Sequence, residues 1–184
     1  GVLLGAVEKR PAVDVAVPSA IAGIIVGTLV HTGLAIRFKE ILVALTGGLL
    51  LPSLFVAMLV TLILGMGMPT TAAYLLSAIL VAPAIQGLGV PALAIHLFLF
   101  YFGVVSMVTP PVALAAFAAA GISGANLWST GIQAFKFSLA AFLVPYAFVY
   151  NQALLLTGPW GEIAWVVSTT SGGVAVLAAA VVGY

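Results

Sequence analysis

Residues 64–74, LGMGMPTTAAY, interrupt a long apolar region with two glycines and one proline. The glycines allow the backbone to leave helical geometry without a Cβ clash. The proline has no N–H and clashes with the preceding turn, so it ends one helix and can begin the next. The threonine hydroxyls can cap that second helix or bind an ion. We therefore predict an unwound turn that exposes carbonyls of the first half-helix and N–H groups of the second, with Thr70 and Thr71 as candidate cap or ion ligands.

A second interruption follows at residues 103–112, GVVSMVTPPV. Its two prolines remove two successive backbone donors and favour extended geometry at the preceding residue. Hard cations such as Na⁺ prefer oxygen ligands, and backbone carbonyls with neutral hydroxyls suffice for a monovalent ion. The hydroxyls of Ser106 and Thr109 are therefore candidate ion ligands in this turn.

The whole chain is far more apolar than a soluble domain. Of its 184 residues, 64% are hydrophobic and 5% are charged, and the formal net charge is +1. In soluble domains about 45–50% of residues are apolar and about 25% are charged. The chain is therefore predicted to be an integral membrane protein. Nucleic-acid binding is excluded because no basic patch exists to displace counterions. Disulfide and thiol chemistry are excluded because the chain has no cysteine.

Glycine, proline and polar breaks divide the chain into apolar runs. A helix needs about 20 apolar residues to cross about 30 Å of hydrocarbon. The runs long enough to cross are 15–36, 41–66, 132–156 and 162–184, the run 91–108 is borderline, and the runs 71–85 and 110–121 are too short. Charged connectors are predicted at residues 1–14 and 37–40.

Short apolar helices beside such breaks are typical of interrupted helices and re-entrant hairpins, whose unpaired backbone groups must face protein, water or a ligand. Discontinuous helices near the bilayer midplane often mark a transporter binding site. For either break, a packing kink stabilised by neighbouring helices is the alternative. The sequence thus predicts an all-α integral membrane protein, a multi-helix bundle with a discontinuous helix and a re-entrant helical hairpin.

Three long motifs make the chain resemble one family. They are GMGMPTTAAYLL at 65–76, HLFLFYFGVVSMVTPPVALAAFAAAGISGA at 96–125 and AFKFSLAAFLVPYAFVYNQALLL at 134–156. The family is the large membrane subunit of tripartite ATP-independent periplasmic (TRAP) transporters, and the resemblance is closest to the TAXI-type, often fused permeases. By this resemblance, residues 15–157 are the second of two repeats of an elevator-type transporter. Residues 1–14 are then an interfacial connector, and residues 158–184 form an additional transmembrane helix.

The resemblance implies a secondary transporter in the bacterial or archaeal cytoplasmic (inner) membrane, crossing it several times. It would use a sodium gradient to import organic acids, the carboxylates, delivered by an extracytoplasmic substrate-binding protein. A small TRAP membrane subunit, separate or fused, would complete the complex, and membrane lipid would surround it. No cofactor is expected besides Na⁺ as the coupling ion. By the resemblance, the family's unwound substrate-and-ion region corresponds to Gly65, Gly67, Pro69, Thr70 and Thr71, and its other ion-coordinating turn to Ser106, Thr109, Pro110, Pro111 and Val112. The resemblance implies sodium ligands at Gly65, Ser106, Thr109 and Val112.

The chain departs from the family's C4-dicarboxylate branch at the first break. That branch typically reads G-M-F-L-D-T, whereas Pro69 stands here in place of the Asp. The site therefore lacks a carboxylate, and the ion stoichiometry of that branch does not carry over.

Few charges are available for coupling or for substrate binding. Residues 41–161 contain no Asp or Glu, and His96 is the only histidine among them. Proton-coupled carriers usually need an intramembrane carboxylate or histidine to bind the proton. Because this stretch has only one such residue, coupling to sodium through neutral oxygen ligands is favoured. No Arg lies near either break, so a carboxylate substrate would bind the free N–H groups at residues 70–73 and 111–113. His96 itself is either a neutral ring bonded to a backbone carbonyl or a gate that responds to protons.

Other classes of protein fit less well. Gly121-Ile122-Ser123-Gly124 matches the pattern of rhomboid-type intramembrane proteases, but no histidine follows Ser123 to act as its base. A loop explains these four residues better, so the chain is predicted not to be an enzyme. A structural membrane subunit and another sodium-coupled carrier with paired hairpins, such as a citrate/dicarboxylate carrier, remain alternatives.

Overall fold

The computed structural model describes residues 16–17, 20–21 and 23–183, and these contain helices and no strand. The predicted connector at residues 1–14 lies outside them. The helices are α1 (residues 23–31), α2 (Leu34–Thr46), α3 (Leu50–Gly65), α4 (Thr70–Leu80), α5 (Ala82–Gln86), α6 (Ala92–Val105), α7 (Leu114–Ser123), α8 (Leu127–Ser138), α9 (Val144–Tyr150) and α10 (Trp160–Val182). Three 3-10 turns, Ser106–Val108, Leu139–Leu143 and Gln152–Leu155, follow α6, α8 and α9.

The core is built around α6, which packs between α3, α4 and α9. Its buried side chains recur at the three- and four-residue spacing of one helix face, because such positions lie above one another along a helix. Phe98 and Phe102 are both fully buried, with ring centroids 4.8 Å apart. Tyr146 of α9 packs edge-on against Phe98 at 5.3 Å. This aromatic core fixes α6, whose C-terminal end carries the second break.

The charged segment 37–40 is not a connector, as the sequence analysis expected, but part of α2. The chain turns instead at Thr32 and Gly33, where Gly33 has a φ of +66°. Within α2 the charged side chains are exposed, while Leu42 is buried. The predicted run 15–36 therefore extends past a turn, because a left-handed glycine ends the helix before Leu34; the membrane crossing of this segment stays a prediction.

The run 41–66 is likewise divided. Gly47 and Gly48 both have positive φ, +61° and +72°, and they separate α2 from α3. Thr46 and Ser53 flank this turn, and their hydroxyl oxygens lie 2.8 Å apart in a buried hydrogen bond. Hydropathy alone predicted one continuous run here and did not reveal the turn that the paired glycines make.

Among the residues that the structure describes, two helical stretches are long and apolar enough to cross a membrane, Leu127–Tyr150 and Trp160–Val181. The first starts five residues before the predicted run 132–156 and stops at Asn151, which caps the following 3-10 turn by accepting from the Ala153 N–H. In the second, Ser168 donates to the Ala164 carbonyl over 2.8 Å, so polar side chains do not interrupt α10. The crossing of residues 158–184 stays a prediction, as do re-entry into the bilayer and the two-repeat assignment.

Candidate ion- and substrate-binding site

The first break lies between α3 and α4. The helix α3 ends at Gly65, Met66 is extended, and Gly67 has a φ of +79°. The Met68 N–H reaches the Gly65 carbonyl over 3.5 Å, a long hydrogen bond that leaves most of that oxygen's acceptor capacity available. Pro69 then precedes α4. The chain thus leaves and re-enters the helix at the glycine and the proline.

The second break follows α6. A 3-10 turn over Ser106–Val108 leads to Thr109, whose backbone is extended, with ψ at 124°. The Pro110–Pro111 peptide is cis. The next helix, α7, begins at Leu114 and not at Pro110, because Ala113 adopts a left-handed φ of +33°, outside the geometry of a right-handed α-helix.

The structure brings the two breaks together at Gly65 and Ser106. A Cβ atom added to Gly65 would lie 2.6 Å from the Ser106 Cβ, and 3.6 Å from the Cβ of Ala73 in α4. On the adjacent turn of α6, a Cβ on Gly103 would lie 3.8 Å from the Thr70 carbonyl oxygen. The end of α3, the start of α4 and the end of α6 therefore meet, and small residues allow the close approach.

The hydroxyls at this junction are buried and each donates its proton to the backbone. Ser106 is 1% exposed, and its Oγ donates to the Gly103 carbonyl over 2.7 Å. Thr109 is 8% exposed, and its Oγ1 donates to the Val105 carbonyl over 2.8 Å. Because a hydroxyl has one proton and two lone pairs, both oxygens retain acceptor capacity. This neutral donor set fits a monovalent hard cation.

The ten residues expected from the sequence are not equally buried. Gly65, Ser106 and Thr109 are buried; Thr70, Pro110 and Val112 are half-buried; Gly67, Pro69, Thr71 and Pro111 are exposed. Among the buried residues, Gly65 and Ser106 are in contact.

The N-terminus of α4 carries no side-chain cap. The Ala73 N–H bonds to the Pro69 carbonyl over 3.1 Å, and the N–H groups before it belong to the first turn, where a helix leaves its donors without intrahelical partners. Together with the positive end of the helix dipole, such donors attract carboxylates. This N-terminus adjoins Gly103 and hence the hydroxyl junction.

His96 lies on α6, half-buried, between two polar side chains. Its Nδ1 is 3.1 Å from Tyr74 Oη, and its Nε2 is 3.5 Å from Gln86 Nε2. Of the two alternatives for His96, the bond to a backbone carbonyl is not found, because both ring nitrogens face side chains. That Tyr74 and Gln86 are these partners could not be predicted, because the pairing of α4 and α5 with α6 cannot be read from local spacing.

Ser123, the nucleophile of the protease alternative, is an exposed residue at the end of α7. Its Oγ bonds to the Ala120 carbonyl over 3.3 Å and lies 3.4 Å from the Ala125 N–H, as in a helix-ending turn. Over the part of the chain that the structure describes, no group of three or more His, Cys, Asp or Glu residues could hold a metal ion.

Comparison with known proteins places these features in a class of secondary membrane transporters. The family model described as "Tripartite ATP-independent periplasmic transporter, DctM component" matches residues 4–162. The chain therefore belongs to the DctM family, the large permease component of TRAP transporters, which confirms the resemblance of its motifs. No curated protein and no solved structure matches the chain.

Proposed function

We propose that this chain forms the ion- and substrate-binding part of a sodium-coupled TRAP permease that imports organic acids. It is assigned to the TAXI type and to the second repeat of an elevator-type transporter in a bacterial or archaeal cytoplasmic membrane. The two breaks lie within the bilayer and belong to a discontinuous helix and a re-entrant hairpin. The extracytoplasmic binding protein and the small membrane subunit are its partners.

The observation that carries this proposal is the contact between Gly65 and Ser106. Two interrupted helices that are distant in sequence come together at buried neutral oxygens, and this is the geometry expected of a cation site between broken helices. The ligands would be the Gly65 carbonyl, the Ser106 and Thr109 hydroxyls and backbone oxygen at Val112. Lipid cannot solvate these groups at membrane depth, so a bound ion would stabilise the junction.

The substrate carboxylate would bind at the uncapped N-terminus of α4, beside the ion. No Lys or Arg lies within α4 or the first break, so the positive charge near this N-terminus would come from the helix dipole and from Na⁺. Because the cation favours the anion electrostatically, sodium and substrate are expected to bind cooperatively. That cooperativity would couple the sodium gradient to uptake.

Transport by the reconstituted complex tests this function. Proteoliposomes that contain the complete transporter, supplied with the binding protein and a labelled organic acid, should accumulate substrate only under an inward sodium gradient. Replacement of Na⁺ by K⁺ at equal ionic strength is the control. Accumulation driven equally well by a proton gradient without sodium would overturn the proposal.

A further inference from the structure

Beside the candidate site, the contact between α4 and α6 is close and is made by backbone atoms and small residues. Opposite Gly103 lie the Thr70 carbonyl and the Tyr74 backbone N, each 3.8 Å from where a Cβ would stand. Ala73, which is fully buried, is the next neighbour at 3.9 Å. Small residues permit a short distance between helices, but such contacts carry no directional bond. They do not by themselves fix how far α4 slides along α6.

A directional contact lies about two helical turns before Gly103 on α6. Tyr74 Oη lies 3.1 Å from His96 Nδ1, and its ring packs edge-on against Phe100 at 5.9 Å. Gln86, at the end of α5, approaches the other ring nitrogen of His96 at 3.5 Å. Within the described residues, these are the side chain–side chain hydrogen bonds that join α4 and α5 to α6.

The ring has one arrangement that satisfies both contacts as they stand. With the Gln86 amide nitrogen facing it, Nε2 of His96 accepts a proton from the amide. The neutral imidazole then carries its own proton on Nδ1 and donates it to Tyr74 Oη. Both ring nitrogens are thereby used, so the orientation of the ring and the position of α4 are linked.

We propose that His96 is a positioning residue for the ion and substrate site. By holding Tyr74, its ring fixes the register of the first turn of α4 against Gly103 and Ser106. The inference rests on the proposed sodium-coupled function, because it concerns the geometry of that same site. Tyr74 lies four residues after Thr70 on one short helix, so a shift at Tyr74 moves the N-terminus of α4 with it.

The energetic scale follows from the sensitivity of binding sites to small displacements. Coordinating groups need to be held within about 0.5 Å of their productive positions. A single neutral hydrogen bond is worth about as much free energy as a several-fold change in affinity. Loss of the Tyr74–His96 bond should therefore weaken substrate binding at the N-terminus of α4 and, through the proposed cooperativity, sodium binding as well. The apolar core, which Phe98 and Phe102 form, should stay intact.

The test is a sodium titration of substrate uptake by the complete reconstituted transporter. Tyr74→Phe removes one oxygen and keeps the ring, and His96→Leu removes both ring nitrogens. Both should raise the sodium concentration for half-maximal uptake about fivefold, with little change in the maximal rate at saturating sodium. The double variant Tyr74→Phe/His96→Leu should be no worse than His96→Leu alone, because both changes break the same bond.

His96→Asn provides the rescue, since its amide nitrogen takes the place of Nδ1 and can still donate to Tyr74. It should keep the half-maximal sodium concentration within about twofold of the unmodified protein, as expected for a retained hydrogen bond. Tyr146→Phe is the matched control, because Tyr146 donates its hydroxyl to Met58 Sδ over 3.3 Å in the core, away from the site.

The outcomes separate this inference from the proposed function. Sodium-independent uptake by the unmodified transporter would overturn the sodium coupling itself. Sodium-dependent uptake with an unchanged half-maximal concentration in Tyr74→Phe would overturn the positioning role of His96 and leave the coupling intact. An equal effect of Tyr146→Phe, or failure of His96→Asn to rescue, would assign His96 to general packing and overturn the inference too.

Discussion

A methyl group at Gly65 would lie 2.6 Å from the Cβ of Ser106, far inside van der Waals contact. The two residues are the last of α3 and the first of the 3-10 turn after α6. Each therefore sits at the edge of one break, and the fold closes only because one of them has no side chain. The sizes of the residues at these two positions are coupled.

Gly65→Ala is expected to destabilise the protein by about 1–3 kcal/mol, the usual range for an overpacked core site. Both atoms of the Ser106 side chain, Cβ and Oγ, stand in the way, so Ser106→Ala would not relieve the clash. The double variant Gly65→Ala/Ser106→Gly should recover much of the lost stability. Thermal unfolding of the purified protein in detergent measures the effect.

Gly103→Ala is the matched control for this prediction. It adds the same methyl group in a buried helical position, but the nearest atoms lie at an ordinary contact distance of 3.8 Å. Its thermal stability should stay near that of the unmodified protein. If Gly65→Ala and Gly103→Ala unfold at the same temperature, the close approach of the two breaks is wrong.

A substitution at Gly67 tests the backbone conformation of the first break without adding a steric clash. Its φ is +79°, and no atom lies within 4 Å of an added Cβ. Gly67→Ala should cost about 1–2 kcal/mol because an L-residue is strained in left-handed geometry. Gly67→Asn should cost less, since Asn visits that region more readily.

The comparison for Gly67 is Gly121→Ala in the helix α7, where a Cβ also meets open space but φ is not positive. That change should stabilise the protein by about 0.5–1 kcal/mol, the helix preference of Ala over Gly. The measurement is again the shift in thermal unfolding. Equal effects of Gly67→Ala and Gly121→Ala would contradict the turn geometry.

The helix ends at both breaks could be predicted from the sequence, because glycine and proline act locally on the backbone. The helix α3 does end at Gly65 and α4 does follow Pro69, because these residues impose backbone geometry whatever surrounds them. The same reasoning was not applied to Gly47-Gly48 or Gly33, where hydropathy was read alone. Two long runs were consequently predicted where the chain turns.

The charged segment 37–40 shows a second limit of composition. Three charged residues within four positions of an apolar chain suggested a loop, but Arg37, Lys39 and Glu40 all lie on the exposed side of α2. Helical amphipathicity places such side chains outward without ending the helix. A periodicity test over 34–46 would have favoured a helix.

Contacts between distant segments could not be predicted from the sequence. Gly65 and Ser106 each had a local reason to be singled out, but nothing in either motif states that they touch. The same holds for Tyr74 and Gln86 around His96. Such pairings depend on how α4 and α6 pack, and packing is decided by the whole core rather than by spacing within one helix.

Thr109→Ala should weaken the sodium dependence of uptake more than maximal substrate binding. The change removes a buried hydroxyl oxygen, and about a tenfold rise in the half-maximal sodium concentration corresponds to about 1.4 kcal/mol of lost ion binding. Thr109→Ser, which keeps the oxygen, should stay within about threefold of the unmodified protein for the same reason. The measurement is a sodium titration of uptake in proteoliposomes.

Thr46→Ala is the control for Thr109→Ala. Thr46 is also buried and donates its hydroxyl to the carbonyl four residues earlier, over 2.8 Å, but it is the last residue of α2. It should leave the sodium titration unchanged. A sodium titration that does not move in Thr109→Ala would remove this residue from the proposed ion site.

The helix α10 gives a direct test of membrane crossing, because the 184 residues contain no cysteine and any introduced thiol is therefore unique among them. Its 23 residues span about 34 Å at about 1.5 Å per residue, enough for the hydrocarbon layer. Gly172→Cys, at its centre, should resist a membrane-impermeant thiol reagent applied to either side, whereas Thr157→Cys and Gly183→Cys should react from opposite sides. A helix lying along the surface would instead expose Gly172→Cys together with both ends, and that labelling pattern would exclude the additional transmembrane helix.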